Sequence, residues 1–197
     1  MLENFSEGKV YEVLLVTAAN ITPVGVVRRG DGLRFKLFPG RSFQDILSDS
    51  RVSIQLTNDV ELLVRYALNL EVDSEIERKN GWRWIKGLPG FYGRVNWRIQ
   101  TWKDEIGETE VLSAEFLPEG VIPGELPVIP FSRADCILVE MAVLFTRHRI
   151  RPTEESEKKL LNLHSTYRRL GGDSPVAEYM VSFLTDEGQN GMQGGGL

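Results

Sequence analysis

Residues 21–27 read Ile-Thr-Pro-Val-Gly-Val-Val, and this short segment decides how the N-terminal half of the chain folds. The segment is too apolar for an exposed loop, yet it holds both Pro23 and Gly25. Proline lacks the backbone N–H that would donate a hydrogen bond to the neighbouring strand, and glycine has no side chain to pack. Both residues therefore weaken a central strand. Two interpretations follow. The segment is an edge strand or a bulge at a barrel corner, or its backbone lies against a flat ligand, because glycine permits a close approach.

Further strands are predicted on either side of this segment from alternating apolar and polar residues. Only a few small residues separate it from a preceding apolar run, which predicts a hairpin. Together the segments predict a mainly β (α+β) fold, a barrel or strongly curved sheet with short helices. The other predicted strands are Val10–Thr17, Leu33–Phe38, Arg51–Thr57, Arg94–Trp102 and Glu110–Leu117.

Two short helices are predicted between these strands. The first spans Ser42–Ser48. The second begins after Asn58, which with Glu61 three residues later resembles a capping box. That pairing accounts for Asn58 by helix capping alone, although the turn after the strand is also a place for a ligand contact. An apolar stripe along the second helix consists of Val60, Leu63, Val64 and Ala67.

The C-terminal third changes to helical patterns. Arg133–His148 is apolar nearly all round and predicts a buried helix. A second helix is predicted over Glu154–Leu170, and a third begins at Ser174-Pro175, a cap followed by proline. The polar, glycine-rich end predicts flexibility. The predicted organisation is a barrel domain over residues 1–131, a helical extension over 132–185 and a flexible tail over 186–197.

Composition limits the function classes. The chain has 197 residues and a net charge of −5, which disfavours nucleic acid and anionic membranes as partners. Cys136 is the only cysteine, and His148 and His164 lack partners at ligand spacing, so we expect no disulfide and no metal site. The N-terminus does not resemble a signal peptide, and the longest apolar run is too short to span a bilayer. We therefore expect a cytoplasmic protein.

An anion site is predicted at residues 36–43, Lys-Leu-Phe-Pro-Gly-Arg-Ser-Phe. Arg41 offers a bidentate fork, and Ser42 is placed either to cap the following helix or to bind a phosphate oxygen. Free N–H groups at a helix start favour anions. Each cation alone is expected to be a solvated surface charge, but together they predict a phosphate site. They are Arg28, Arg29, Arg34, Lys36 and Arg41.

The ordered set of these segments resembles the DUF447 family of flavoproteins. Its Asn-x-x-Pro-x-Gly-Val strand is matched by Asn20, Pro23, Gly25 and Val26. Its Lys/Arg-x-Phe-x-Gly-Ser/Arg-Ser/Thr-Phe/Tyr turn is matched by Lys36, Phe38, Gly40, Arg41, Ser42 and Phe43. A further segment is matched loosely by residues 56–62, and the resemblance extends over residues 11–170.

The resemblance implies an FMN-binding split β-barrel with a C-terminal helical unit, and FMN bound at a homodimer interface. The isoalloxazine would lie along residues 22–26, and Arg41, Ser42 and the helix N-terminus would hold the phosphate, with Lys36 as a second cation. Thr57 and Asn58 would reach the ring or the ribityl chain. The predicted cofactor-binding residues are Asn20, Thr22, Pro23, Val24, Gly25, Val26, Lys36, Arg41, Ser42, Phe43, Thr57 and Asn58.

Three functions are consistent with this resemblance, because fold alone does not fix activity. The first is an FMN-dependent oxidoreductase or flavin reductase that exchanges electrons with a small-molecule donor and acceptor. The second is a flavin-binding module without turnover. The third is a dimeric scaffold that has lost the ligand, for which an occluded Arg41 would be the sign.

Overall fold

The computed structural model describes residues 2–103, 108–124 and 129–192, with residues 185–192 described by their backbone alone. The chain divides into two compact units, Met1–Phe131 and Ser132–Leu197. The first unit contains the sheet and two helices, and the second is helical.

The first unit contains these elements in chain order: β1 (Val10–Val16), β2 (Ile21–Arg29), β3 (Gly32–Leu37), α1 (Arg41–Ser48), β4 (Arg51–Gln55), α2 (Val60–Ala67), β5 (Ile76–Lys79), β6 (Trp82–Ile85), β7 (Gly90–Lys103) and β8 (Glu108–Ile122). A two-residue strand, β9 (Phe131–Ser132), follows. Then come α3 (Arg133–Ile150), α4 (Glu154–Arg169) and α5 (Pro175–Met192).

Six strands close into an antiparallel barrel. Their order is β2-β3-β8-β7-β4-β1, and β1 pairs back with β2 over its whole length. The extra strand β9 follows β1 in the sheet order. The predicted mainly β (α+β) barrel with a C-terminal helical unit is confirmed.

The barrel is split between β2 and β3. These two strands pair only near their shared turn, from Val27↔Arg34 to Arg29↔Gly32. Beyond that point β3 continues along β8, while residues 21–26 of β2 pair with β1 alone. The strands diverge because no β3 residue beyond Arg34 is in register with β2, and an edge of β2 is left free.

Apolar residues at alternate strand positions fill the barrel interior, as the period of two requires. Val13, Leu15 and Val26 are fully buried there, and Val24 belongs to the same core. Helix α1 contributes Phe43 and Ile46 to the same core, which holds the helix against the barrel. The opposite face of β1 and β2 packs with α2 and β6 through Leu14, Val16, Ile21, Leu63 and Ile85.

Helix α2 begins one residue later than its predicted cap. Asp59, not Asn58, is the N-cap, since its carboxylate accepts a hydrogen bond from Leu62 N at 3.0 Å. Thr57 Oγ1 accepts from Asp59 N at 3.0 Å and so fixes the turn before the helix. Of the predicted stripe only Leu63 is buried, whereas Val60 and Val64 are 46% and 47% exposed.

The hairpin β5–β6 was not among the predicted strands.

The second unit consists of α3, α4 and α5 around their own core. That core includes Met141, Phe145, Leu160, Tyr167 and Met180. Helix α3 is not buried all round within its unit, because Val139 is 61% and Ile150 is 86% exposed. Helix α5 continues to Met192, beyond the predicted end of the helical extension, and residues 193–197 of the predicted tail lie outside the described residues.

Candidate functional site

A cavity of about 760 Å³ lies where β2 and β3 diverge. Its walls come from the free part of β2, the end of β3 and the N-terminus of α1, with one residue from the end of α2. Exposed residues such as Phe38 and Arg41 line it, so the cavity opens to solvent. The lining residues are Asn20, Thr22, Pro23, Val24, Gly25, Lys36, Leu37, Phe38, Pro39, Gly40, Arg41, Ser42, Phe43 and Asn69.

The free edge of β2 explains the unusual Pro-x-Gly segment. The backbone N–H of Thr17 donates to the carbonyl of Asn20 at 2.9 Å, which fixes the alternation of the antiparallel ladder. Counting from that pair, Ile21, Pro23 and Gly25 direct their backbone polar groups away from β1. Pro23 therefore removes no hydrogen bond between β1 and β2. The backbone N–H and C=O of Gly25 remain free at the cavity. Both interpretations of this segment are compatible, since an edge strand is also the surface that a flat ligand requires.

The N-terminus of α1 is uncapped. Gly40 is the N-cap residue, and no side chain in the described part of the chain caps the first turn of the helix. Ser42 lies inside the helix, so the interpretation of Ser42 as the cap is wrong. The first N–H groups of a helix lack intrahelical acceptors and carry partial positive charge. Here they border the cavity together with the Arg41 side chain.

A polar network fixes this helix terminus against the β1–β2 turn. Asn20 Nδ2 donates to Ser42 Oγ at 2.8 Å, and the hydroxyl keeps its own proton free to donate. Asp45 Oδ2 accepts from Thr17 Oγ1 at 2.5 Å and from the backbone N–H groups of Ala19 and Asn20 at 3.0 and 3.1 Å. The carboxylate thereby joins α1 to the hairpin turn.

Arg83 on β6 supports the same turn from outside. Its Nη1 donates to the carbonyls of Thr17 and Asn20 at 2.9 and 3.3 Å, while its buried Nε has no partner among the described residues. Burial is the largest cause that lowers the pKa of Arg83, and the nearby Arg78 charge lowers it further. A guanidinium stays charged in proteins, so Arg83 adds a fixed positive charge behind the turn.

The five predicted cations do not converge. Arg28 and Arg29 pair with Glu7, and Arg34 pairs with Glu115 at 3.0 Å. Only Lys36 and Arg41 line the cavity. The Lys36 ammonium lies 3.2 Å from the centre of the Trp102 ring, whereas Arg41 is exposed and makes no ion pair within the described part of the chain. The predicted cluster is thus reduced to one unpaired arginine and one lysine.

Most of the predicted site residues are brought together, and three are not. Asn20, Thr22, Pro23, Val24, Gly25, Lys36, Arg41, Ser42 and Phe43 line the cavity. Val26 is fully buried in the barrel core. Thr57 is buried and bonded to Asp59 N, and Asn58 is exposed outside the cavity lining. A ligand contact for Thr57 or Asn58 stays a prediction.

One lining residue carried no strong sequence signal. Asn69 follows α2 in the left-handed backbone conformation, with φ 53°. An asparagine just after a helical pattern indicates a helix end, but its approach to the cavity depends on how α2 packs against Ile21 of β2.

The described residues contain neither a metal-binding cluster nor a membrane-spanning helix. No group of three or more His, Cys, Asp or Glu side chains is placed to hold a metal ion there. Among the helices described, none is long and apolar enough to cross a membrane.

Fold and cavity together define a split-barrel protein with an uncapped helix N-terminus at the split. The chain belongs to the DUF447 family. The model described as "Protein of unknown function (DUF447) N-terminal domain" matches residues 11–122, and a second DUF447 model matches residues 132–180. The resemblance stated from the sequence is thereby confirmed.

A solved structure of the same family shares this fold. An FMN-bound DUF447 protein from Methanosarcina mazei is 22% identical, with a TM-score of 0.52 over 91% of this chain and 96% of that chain. The styrene monooxygenase flavin reductase from Pseudomonas putida S12 is 13% identical, with a TM-score of 0.42 over 62% of this chain and 83% of that chain. No curated protein matches the chain significantly.

Proposed function

We propose that this protein binds FMN in the cavity between β2 and β3 and acts as an FMN-dependent oxidoreductase of the flavin reductase type. The proposal rests on one observation. The cavity combines a free backbone edge, suited to a planar ring, with an uncapped helix N-terminus and with Arg41, which has no ion-pair partner in the described ranges. The family member from Methanosarcina mazei that is FMN-bound supports the same ligand.

The residues present fit both ends of FMN. Arg41, the first N–H groups of α1 and the Ser42 hydroxyl would hold the phosphate, because each donates to anionic oxygens. Lys36 would add positive potential from the neighbouring strand. Gly25 offers a backbone donor and acceptor, and Pro23 an acceptor, for the polar edge of the ring. Phe38 and Leu37 supply apolar surface.

Bound FMN would supply hydride or electron transfer between a reduced carrier and an acceptor. The residues that line the cavity include no Asp, Glu or His among the described positions. Hydride transfer to a flavin needs little acid or base from the protein, so this lining is suited to it. The role of the chain is then to bind and orient the cofactor and to leave its open face accessible to a donor.

The binding test compares FMN with riboflavin, which lacks the phosphate. Titration of the purified protein should give tight FMN binding, and Arg41→Ala should weaken it about 10- to 100-fold, as expected for loss of hydrogen bonds to a charged group. Riboflavin binding should hardly change. Arg34→Ala is the matched control, since Arg34 is an exposed arginine on β3 outside this cavity. Equal losses for both flavins would show that Arg41 does not hold the phosphate.

The activity test measures anaerobic reduction of FMN by NADH, NADPH or a reduced deazaflavin, with and without the protein. Faster reduction of protein-bound FMN than of free FMN supports the oxidoreductase. Binding without acceleration by any donor would leave a flavin-binding module. Failure to bind either flavin would favour the ligand-free scaffold, although the exposed, unpaired Arg41 argues against that function.

The proposal includes a homodimer. Val60 and Val64 on α2, and Leu68 directly after it, recur at helical spacing and are 46%, 47% and 63% exposed. Leu70 and Phe38 are 52% and 53% exposed, and Phe38 lines the cavity. Asn69, between Leu68 and Leu70 in the chain, also lines the cavity, so the α2 stripe with Leu70 and Phe38 has one end near the cavity. Exposed apolar patches of this kind mark interaction sites, and a second copy of the chain is the partner that would cover both the stripe and part of a bound flavin.

A further inference from the structure

We infer that Asn69 is a flavin-binding residue that contacts the uncharged part of the cofactor, the ribityl chain or the polar edge of the ring. This inference rests on the proposed FMN function. Asn69 lines the cavity from the end of α2, an element that contributes no other lining residue. It therefore adds a third side to a site otherwise built by β2 and by the β3–α1 segment.

The backbone at Asn69 belongs to a Schellman motif that ends α2. Leu70 N donates to Arg65 O at 2.9 Å, and Asn69 N donates to Tyr66 O at 3.3 Å. The motif needs a left-handed residue at this position, for which glycine is favoured and asparagine is tolerated. The motif uses only the backbone of Asn69, so helix termination does not require its side chain.

The carboxamide of Asn69 is available to bind a ligand. It is exposed at the cavity and has no hydrogen-bond partner among the described residues. The other lining amide, Asn20, already donates to Ser42, and the Lys36 ammonium lies over Trp102. Ser42 lies at the helix terminus, and Thr22 and Asn69 are the neutral polar lining side chains with no side-chain hydrogen bond among the described residues. An amide both donates and accepts, which matches the hydroxyls of a ribityl chain and the alternating donors and acceptors of a flavin ring.

Because the Asn69 side chain carries no charge, we place it at the uncharged part of the ligand. The phosphate has better partners at the α1 terminus, where Arg41 and the free N–H groups lie. Removal of the Asn69 amide should therefore weaken FMN and riboflavin by the same factor. Arg41→Ala, in contrast, should weaken FMN alone.

The test uses Asn69→Gly in the full-length protein, because glycine preserves the left-handed turn and removes only the side chain. We expect unchanged or slightly higher thermal stability and an approximately tenfold loss of affinity for both FMN and riboflavin, as for one ligand hydrogen bond. Asn80→Gly is the matched control. Asn80 is also left-handed, with φ 52°, but it lies in the β5–β6 turn outside this cavity.

The outcomes distinguish failure of this inference alone from failure of the proposed function. If the wild-type protein binds FMN and riboflavin and Asn69→Gly binds both equally well, Asn69 is only a turn residue and the inference is wrong. A loss confined to FMN would place Asn69 at the phosphate and would also overturn it. If the wild-type protein binds neither flavin, the proposed function and the inference fail together.

Discussion

One oxygen of the Asp45 carboxylate accepts a hydrogen bond from the backbone N–H of Asn20 at 3.1 Å, and this contact joins helix α1 to the β1–β2 turn. The same oxygen accepts from Thr17 Oγ1 and from Ala19 N. Because Asn20 in turn donates to Ser42, the network sets where the N-terminus of α1 lies relative to the free edge of β2. The cavity geometry therefore depends on a residue that does not line it.

Asp45→Ala should lower the free energy of unfolding by about 2–3 kcal/mol, since it removes a charged acceptor and leaves backbone donors unpaired. FMN affinity should fall as well, because α1 loses its connection to the turn. Urea denaturation and FMN titration measure the two effects. Gln44→Ala, at an exposed position on the same helix, is the control and should change stability by less than about 0.5 kcal/mol. Equal stability of the two variants would contradict the role assigned to Asp45.

Gly40→Asp should separate helix stability from phosphate binding. The Gly40 backbone is extended, with φ 170°, and an added Cβ would meet nothing closer than Phe38 O at 3.9 Å, so a side chain fits. An N-cap aspartate accepts from the first turn and should stabilise the protein by a few tenths of a kcal/mol over glycine. The same carboxylate would occupy the N–H groups and repel phosphate.

We therefore expect Gly40→Asp to raise the melting temperature slightly and to weaken FMN at least tenfold, with riboflavin much less affected. Gly40→Ala is the control, because it adds a Cβ without an acceptor. Calorimetry and fluorescence titration check both quantities. Unchanged FMN binding by Gly40→Asp would show that the phosphate does not lie at this helix terminus.

The sequence predicted the free edge of β2 because its cause is local. Pro23 and Gly25 each weaken a ladder, and their spacing of two places both on the side of the strand that faces away from β1. The turn before α1 was predicted for the same reason, since the Pro-Gly pair ends β3 and the helix follows at once.

The parts of the site that were not predicted depend on contacts distant in sequence. Arg34 looked like part of a cation cluster, but its partner Glu115 is contributed by β8. Asn69 reaches the cavity only because α2 packs against β2. The N-cap error at Asn58 has a different origin, because two adjacent residues are both good caps and only the structure shows that the Asp59 carboxylate is aligned with Leu62 N.

Val64→Glu should disrupt the proposed homodimer. Val64 is central in the exposed stripe of α2, and a carboxylate there would lose its hydration if a second copy covered the helix. We expect the wild-type protein to sediment as a dimer and Val64→Glu as a monomer, with weaker FMN binding in the variant. Val121→Glu is the control, because Val121 is 58% exposed on β8 and does not belong to the stripe. A monomeric wild-type protein, or a dimer that survives Val64→Glu, would argue against this interface.

Asp49 should make stability depend on pH in the acid range. Hydrogen bonds from the Arg51 guanidinium, at 2.7–3.1 Å, are the largest cause that lowers the pKa of Asp49 in the folded protein. A lowered folded-state pKa means that the unfolded chain binds protons first as pH falls. The stabilisation is therefore fully present above the ordinary aspartate pKa of about 4 and is lost as pH drops through the lower folded-state value. Asp49→Asn should be less stable than wild type at pH 7, and this difference should shrink as the pH falls below about 4 and through the lowered folded-state pKa of Asp49. Urea denaturation across this range, repeated for Asp49→Asn in an Arg51→Gln background, isolates the pair. If the asparagine substitution has the same pH-dependent effect without Arg51, the guanidinium is not the cause of the shift.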